Sequence, residues 1–245
     1  MQLGDRIKQL YEKNETNQKF IPMLPIYCRI DGRSFSKFTK GMAKPYEERM
    51  SRVMQEVTKF LVKETSAKVG YVQSDEISLL YYADDIKSSL FFDGKKQKMV
   101  SVLAGAASAK FMQVASTEIP EFMQDKVPMF DARVFNVPNK VEAMNCFLWR
   151  VQDAVKNSIS MAVRSVYSHK EVNNKNQSQM LDMLMDKGIN WNDYPKFFKE
   201  GSFFQRIQYE KEPGVIRSKI DEILIDTKFE DLSTDERVKV LFREY

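Results

Sequence analysis

The sequence predicts an α+β fold: a ferredoxin-like β-α-β-β-α-β core with additional C-terminal helices and strands. Three observations predict it. Runs rich in branched and aromatic residues recur at 24–30, 69–73, 77–82 and 131–137, the composition of strands. Helix-period stretches separate the first run from the second and the third from the fourth. Only Ser74-Asp75-Glu76 divides the middle pair, which marks a hairpin. That order of elements is the split β-α-β pattern.

Each element has its own signal. Residues 3 to 13 read as a short polar helix. The first strand, Leu24 to Ile30, ends in Asp31-Gly32, where glycine permits a tight turn. Pro45 suits a first helical turn and is expected to open the next helix. There Met50, Val53, Met54, Val57, Phe60 and Leu61 recur at three and four, giving one apolar face. An alanine-rich helix follows at 97–115. Beyond the core come a helix near 143–168, another near 175–187 stopped at Gly188, and a strand at 202–209. The last stretch is highly charged and reads as a helical tail. The chain is expected to divide into a catalytic core over 1–138 and a helical and β extension over 139–245 that packs on it and carries subunit or RNA contacts.

Composition narrows the function. The chain has 245 residues, 43% of them hydrophobic, and a net charge of +4; that length buries a real core, and the mild basic excess permits a polyanionic partner. Its two cysteines are too few for a disulfide framework, and Cys28, in an apolar run, reads as a core thiol. A single histidine, His169, cannot build a histidine-rich metal site. With no run of eighteen apolar residues and no signal-peptide core, the expected address is cytoplasmic and no membrane partner is expected.

The chemistry gathers at two turns. In a β-α-β-β-α-β sheet the first and third strands are antiparallel neighbours, so Asp31 at the end of one meets Asp75 and Glu76 at the start of the other. Singly, either is an ordinary turn dipeptide. Together they are converging carboxylates, which repel unless a cation joins them. Oxygen ligands favour Mg²⁺, which also binds substrate phosphates, and two such ions serve in-line displacement. The Gly32 backbone can approach metal or phosphate closely. Lys95 and Lys98 share a face at the start of the alanine-rich helix, where an anion would offset their conflict with the macrodipole; a solvated lysine cluster is the alternative. Arg29 is a triphosphate ligand or an ion-pair partner of Asp31. For Trp149 and Arg150, helical spacing from Cys146 and Asp153 favours core packing. Phe197-Phe198 and Phe203-Phe204 also read as core.

The stretch Arg29-Ile30-Asp31-Gly32-Arg33-Ser34-Phe35 resembles the R-x-D-G-R-x-F signature of the tRNA-histidine guanylyltransferase family. Ala43-Lys44-Pro45, Gln73-Ser74-Asp75-Glu76, Phe130-Asp131-Ala132-Arg133, Trp149-Arg150-x-Gln152-Asp153 and Lys175-Asn176 match further motifs in order. The resemblance spans residues 24–205. It implies a polymerase-palm fold run in reverse: ATP adenylylates a tRNA 5′-monophosphate, then the 3′-hydroxyl of an incoming nucleotide, GTP at tRNA-histidine, expels AMP. By motif, Asp31, the Gly32 carbonyl and Asp75 hold two Mg²⁺, and Glu76 assists. Residues Asp31, Gly32, Arg33, Ser34, Phe35 and Ser36, with Ser74 and Asp75, border the nucleotide. Arg29, Lys95 and Lys98 contact triphosphate, and Lys44 and Asn157 serve the activation step. The family further implies a homotetramer.

The sequence departs from the eukaryotic pattern. Where those enzymes carry H-I-N-N-L-Y-N, this chain has Val155 to Met161, keeping only Asn157, and Ser36 replaces a histidine. It is more similar to bacterial and archaeal-type guanylyltransferase-like proteins, which are implied to repair truncated tRNA 5′ ends by template-dependent 3′–5′ addition. Two other readings stay open: a palm-fold nucleotide cyclase or 5′–3′ polymerase, and a non-catalytic RNA-binding module.

Overall fold

Strand β1 (Ile26–Gly32) sits inside the sheet with both faces covered, and its alternation sorts the molecule into two layers. Ile26, Cys28 and Ile30 are fully buried in one core cluster, while Tyr27 belongs to a second. The computed structural model describes residues 2–242 apart from 84, 86, 87, 89, 213, 224 and 226.

The helices are α1 (Leu3–Ile7), α2 (Lys13–Thr16) after a π-helical turn, α3 (Phe35–Phe38), α4 (Glu48–Thr65), α5 (Lys96–Glu118), α6 (Lys140–Val166), α7 (His169–Val172), α8 (Gln177–Asp186), α9 (Lys196–Lys199) and α10 (Thr234–Phe242). The other strands are β2 (Val69–Gln73), β3 (Glu76–Tyr81), β4 (Phe130–Asn136), β5 (Ser202–Glu212) and β6 (Val215–Glu222). They form a six-stranded sheet in the order β4-β1-β3-β2-β5-β6, antiparallel throughout. The first four in that order are the expected core; β5 adds to β2, and β6 continues outward. Helices α4 and α5 cover one face through Val53, Val57, Leu61, Leu103, Ala107 and Phe111. By length and composition α5 is apolar enough to cross a bilayer, yet Met99, Leu103, Ala107, Phe111 and Ala115 are buried against the sheet. Helix α6 covers the other face: Phe147 packs edge-on to Tyr27 at 5.1 Å. Its C-terminal half joins α7, α8 and Trp191 in a third cluster.

Three local expectations need correction. Helix α4 begins at Glu48, not Pro45: the Glu47 side chain caps the helix by accepting from the Arg49 amide at 3.3 Å. The charged tail is not simply helical, since β6 pairs with β5 before α10 begins; residues 243–245 lie outside the described residues. Phe197 and Phe198 are only partly buried, whereas Phe203 and Phe204 are core as expected.

Candidate active site

Register assembles the site. Asp31 stands opposite Glu76 on β3 and opposite Asp131 on β4. Directly paired residues of antiparallel strands share a face, with Cβ atoms roughly 4.5–5.5 Å apart. An acidic row therefore crosses three strands at one end of the sheet. One side-chain step behind it, Arg29 stands opposite Arg133 on β4 and Ser78 on β3. The two rows pair diagonally or along the strand: Arg29 Nε lies 3.8 Å from Glu76 Oε2, and Arg133 Nη2 lies 3.4 Å from Asp131 Oδ1.

Asp75 completes the end of the sheet. Gln73 and Glu76 close the β2–β3 ladder, leaving Ser74 and Asp75 as a two-residue turn, with Ser74 at φ 49°. The Gly32 amide donates to the Asp75 carbonyl at 3.1 Å, tying this turn to the end of β1. Gly32 is required there: a Cβ would lie 2.4 Å from the Phe35 ring. That ring is held among Phe38, Phe111 and Phe130.

Electrostatics separate the carboxylates by role. Burial pushes the Asp75 carboxyl above its ordinary range, and the charge of Asp31 adds to the rise. Burial pushes Glu76 up to about 7, against the pull of Arg150 and Arg29. Glu76 and Asp131 each have an arginine partner. Among the described residues, Asp31 and Asp75 enter no ion pair, and the Asp75 carboxylate accepts from Ser74 Oγ at 3.1 Å. No three acidic, histidine or cysteine side chains converge as a closed metal cage among the described residues. A pair of like charges without a counterion, offering oxygen alone, fits a hard divalent ion that keeps waters and substrate phosphates as its remaining ligands.

Beside this pair opens a cavity of about 290 Å³, lined by Lys44, Glu47, Ser74, Asp75 and Asn157 among others. One wall is aromatic: Tyr46 packs on Phe198 at 4.6 Å and on Phe197 at 5.4 Å. The combination of apolar wall and a few convergent polar groups is that of a small-molecule pocket.

The expected site residues divide into two groups. Asp31, Gly32, Asp75, Glu76 and Arg29 meet at the sheet end, and the exposed Arg33 and Ser34 lie on the loop after β1, with the exposed Ser36 in the α3 turn that follows. Phe35 is 3% exposed, so it anchors that loop and leaves its ring no free face for a nucleotide. Lys44, Ser74 and Asn157 meet at the cavity. Lys95 and Lys98 are not brought to either place within one chain. They stand at the N-terminus of α5, where the Lys96 amide donates to Gln18 and the Phe20 amide donates to Gly94. Ile21 of the same segment bonds Asn136, which pairs with Ile26 at the opposite end of β1. Five residues of strand, roughly 17 Å, separate Ile26 from Asp31. The N-terminal segment has also taken one amide of the anion site expected at α5.

Residue spacing missed two features. Trp149 is not core: it is 51% exposed and flanked by the guanidinium groups of Arg150 at 4.5 Å and Arg29 at 5.4 Å. Arg150 is buried, but as an ion-pair partner of Glu76, a role that only the tertiary fold reveals.

A palm-type nucleotidyltransferase is the class that this layout defines, a β-α-β-β-α-β sheet with unpaired carboxylates on adjoining strand ends. Comparison with known proteins agrees. The family model for tRNAHis guanylyltransferase (Thg1) matches residues 5–138. A bacterial tRNA(His) guanylyltransferase (Thg1)-like protein solved with ATP is 36% identical, with 91% of each chain covered and a TM-score of 0.80. A bacterial protein of the same description solved with GTP is 33% identical, with 99% of each chain covered and a TM-score of 0.76. The tRNA(His) guanylyltransferase of Debaryomyces hansenii is 28% identical over 80% of this chain and 79% of its own length. The chain belongs to the tRNA(His) guanylyltransferase family.

Proposed function

We propose that this enzyme extends the 5′ end of tRNA in the 3′–5′ direction, repairing truncated 5′ ends against a template strand and adding GTP at tRNA-histidine. The observation that carries the reading is adjacency: Asp75 belongs both to the carboxylate pair and to the wall of the cavity that holds Lys44 and Asn157. An activation pocket that shares a residue with the transfer site suits a reaction in two displacements. Bacterial relatives of the same fold were solved with ATP and with GTP, the two nucleotides such a reaction needs.

In the first displacement, an oxygen of the RNA 5′-monophosphate attacks the α-phosphorus of ATP. A phosphoanhydride forms, and pyrophosphate leaves. In the second, the 3′-hydroxyl of the incoming nucleotide attacks the RNA 5′-phosphorus. A phosphodiester forms, the bond to AMP breaks, and the hydroxyl proton passes to water. Lys44 and Asn157 would hold the ATP in the cavity. Arg29 would meet the triphosphate of the incoming nucleotide, and the segment from Arg33 to Ser36 would border it. Asp31, the Gly32 carbonyl and Asp75 would hold two Mg²⁺, which when bound neutralise phosphate charge and favour in-line attack. Exposed apolar Leu3, Ile7 and Tyr11 on the N-terminal helices offer surface that a homotetramer would cover.

The test is to offer 5′-monophosphorylated or 5′-truncated tRNA with ATP, GTP and Mg²⁺ and to follow the 5′ end. An adenylylated intermediate and products longer at that end are expected. A cyclic product from GTP alone would replace this reading with a cyclase, and RNA binding without turnover would replace it with a binding module.

A further inference from the structure

A chain of side chains on α6 connects the transfer site to the cavity. Arg150 is 6% exposed. Its Nε donates to Glu76 Oε1 at 2.5 Å, and its Nη2 donates to Asp153 Oδ2 at 2.9 Å. Asn157 Nδ2 donates to the same Asp153 oxygen at 3.0 Å. Residues 150, 153 and 157 follow one helix face, three and four apart. At one end of the chain, Glu76 is the ladder partner of Asp31. At the other, Asn157 lines the cavity with Lys44 and Asp75.

Such a chain is a costly way to stabilise a helix on a sheet, because burying charges offsets most of their attraction. Apolar residues would do that better, as Phe147 and Val151 do one turn away or beside it. What the guanidinium adds is direction: a rigid planar fork fixes two acceptors relative to each other, which a lysine cannot do.

We propose that Arg150 is a positioning residue: it sets Glu76 beside the Asp31–Asp75 pair and, through Asp153, sets Asn157 in the cavity wall. The two halves of the site are thereby held in one register. The proposal rests on the two-displacement reading above and divides its steps between two arms. The Asp153 arm serves activation alone. The Arg150 fork serves activation and transfer together.

Two RNAs separate the arms. RNA with a 5′-monophosphate needs ATP. RNA with a 5′-triphosphate is already activated, since attack of a nucleotide 3′-hydroxyl on its α-phosphorus expels pyrophosphate. With Asp153→Ala, the KM for ATP on monophosphorylated RNA is expected to rise about tenfold, the scale of one lost hydrogen bond to a charged group. Its rate on triphosphorylated RNA should stay within about twofold, because Arg150 Nε keeps its own bond to Glu76 Oε1. Arg150→Lys is expected to lower kcat about tenfold or more on both RNAs, since one ammonium cannot bridge both carboxylates. Melting curves report whether each variant is folded; the Asp153 side chain is 33% exposed, so Asp153→Ala still decides if Arg150→Lys unfolds.

Equal slowing of both RNAs by Asp153→Ala would overturn the proposal, as would near-wild-type rates for folded Arg150→Lys. Inactivity of the wild type on both RNAs would instead overturn the functional reading. Calorimetric binding of ATP then still tests the Asp153 arm: weakening of about tenfold in Asp153→Ala supports it, and unchanged binding overturns it.

Discussion

The two ends of the central sheet carry opposite charge and opposite design. At one end Asp31, Asp75, Glu76 and Asp131 gather on neighbouring strands, and two of the four have no cation partner among the described residues. At the other, Lys19, Lys95, Lys96 and Lys98 cluster at the start of α5, and their environment is largely satisfied. Lys19 pairs with Asp93. Lys96 sits over the Phe20 ring at 5.4 Å, and Lys98 sits over Phe92 at 5.4 Å. The N-terminal segment takes up backbone groups there. The acidic end, with its charge left open, is the one we propose to hold the metal ions, whereas the basic cluster has partners supplied.

The strongest way to break this comparison is to remove charge from the acidic end. Asp31→Asn or Asp75→Asn should lower kcat by about 10³-fold, the several kcal/mol that metal-assisted charge stabilisation supplies. Stability should not follow. Asp75 binds its proton more tightly folded than unfolded, so its contribution to metal-free stability is best at low pH and declines as pH rises through the raised value. Asp31→Asn removes part of the cause, and denaturant titrations of metal-free protein should show a shallower decline across that range.

Gly32→Ala ranks next. The added methyl meets the Phe35 ring, which its aromatic neighbours prevent from swinging away. Overpacking of this kind costs about 1–3 kcal/mol, readable as a lower denaturant midpoint, with activity falling as the end of β1 shifts. Trp149→Ala should change stability by about 1 kcal/mol or less, the scale of an exposed cation–π contact. A core anchor would cost about 3–5 kcal/mol, which is the expectation for Phe147→Ala. The smallest effect is predicted for the basic end: Lys95→Ala with Lys98→Ala should leave the KM for GTP within about twofold, because like distant substitutions it leaves the site untouched. A large increase would show that a second subunit brings these lysines to the acidic end.

Much of this was legible in the sequence because it depends on period and order. The strand-like run Leu24 to Ile30, the short Ser74-Asp75-Glu76 interruption and the β-α-β-β-α-β order were enough to bring Asp31 beside Glu76. Of the helix-period residues, Met50, Val53, Met54, Val57 and Leu61 are buried as expected, and Phe60 is partly buried against the same cluster. What escaped depends on partners from distant chain. Spacing from Cys146 and Asp153 places Trp149 on a helix face but cannot say whether the sheet ends before reaching it. The ion pair of Arg150 with Glu76 joins residues 74 apart, and no local pattern specifies it. Strand β6 escaped because Arg217, Lys219 and Asp221 lie on the edge strand of the sheet, where burial imposes little apolar pattern. For Lys95 and Lys98 the triphosphate contact is implied by the resemblance alone; within one chain the length of α5, roughly 34 Å, sets its N-terminus apart from the acidic end.

The most direct measurement of the central claim is binding of Mn²⁺, as a spectroscopic stand-in for Mg²⁺, to metal-free protein with GTP present, followed by electron paramagnetic resonance. The wild type should remove free Mn²⁺ beyond what GTP alone binds, and Asp31→Asn and Asp75→Asn should each lose that excess while still melting as folded proteins. Undiminished excess binding in both variants would contradict the account.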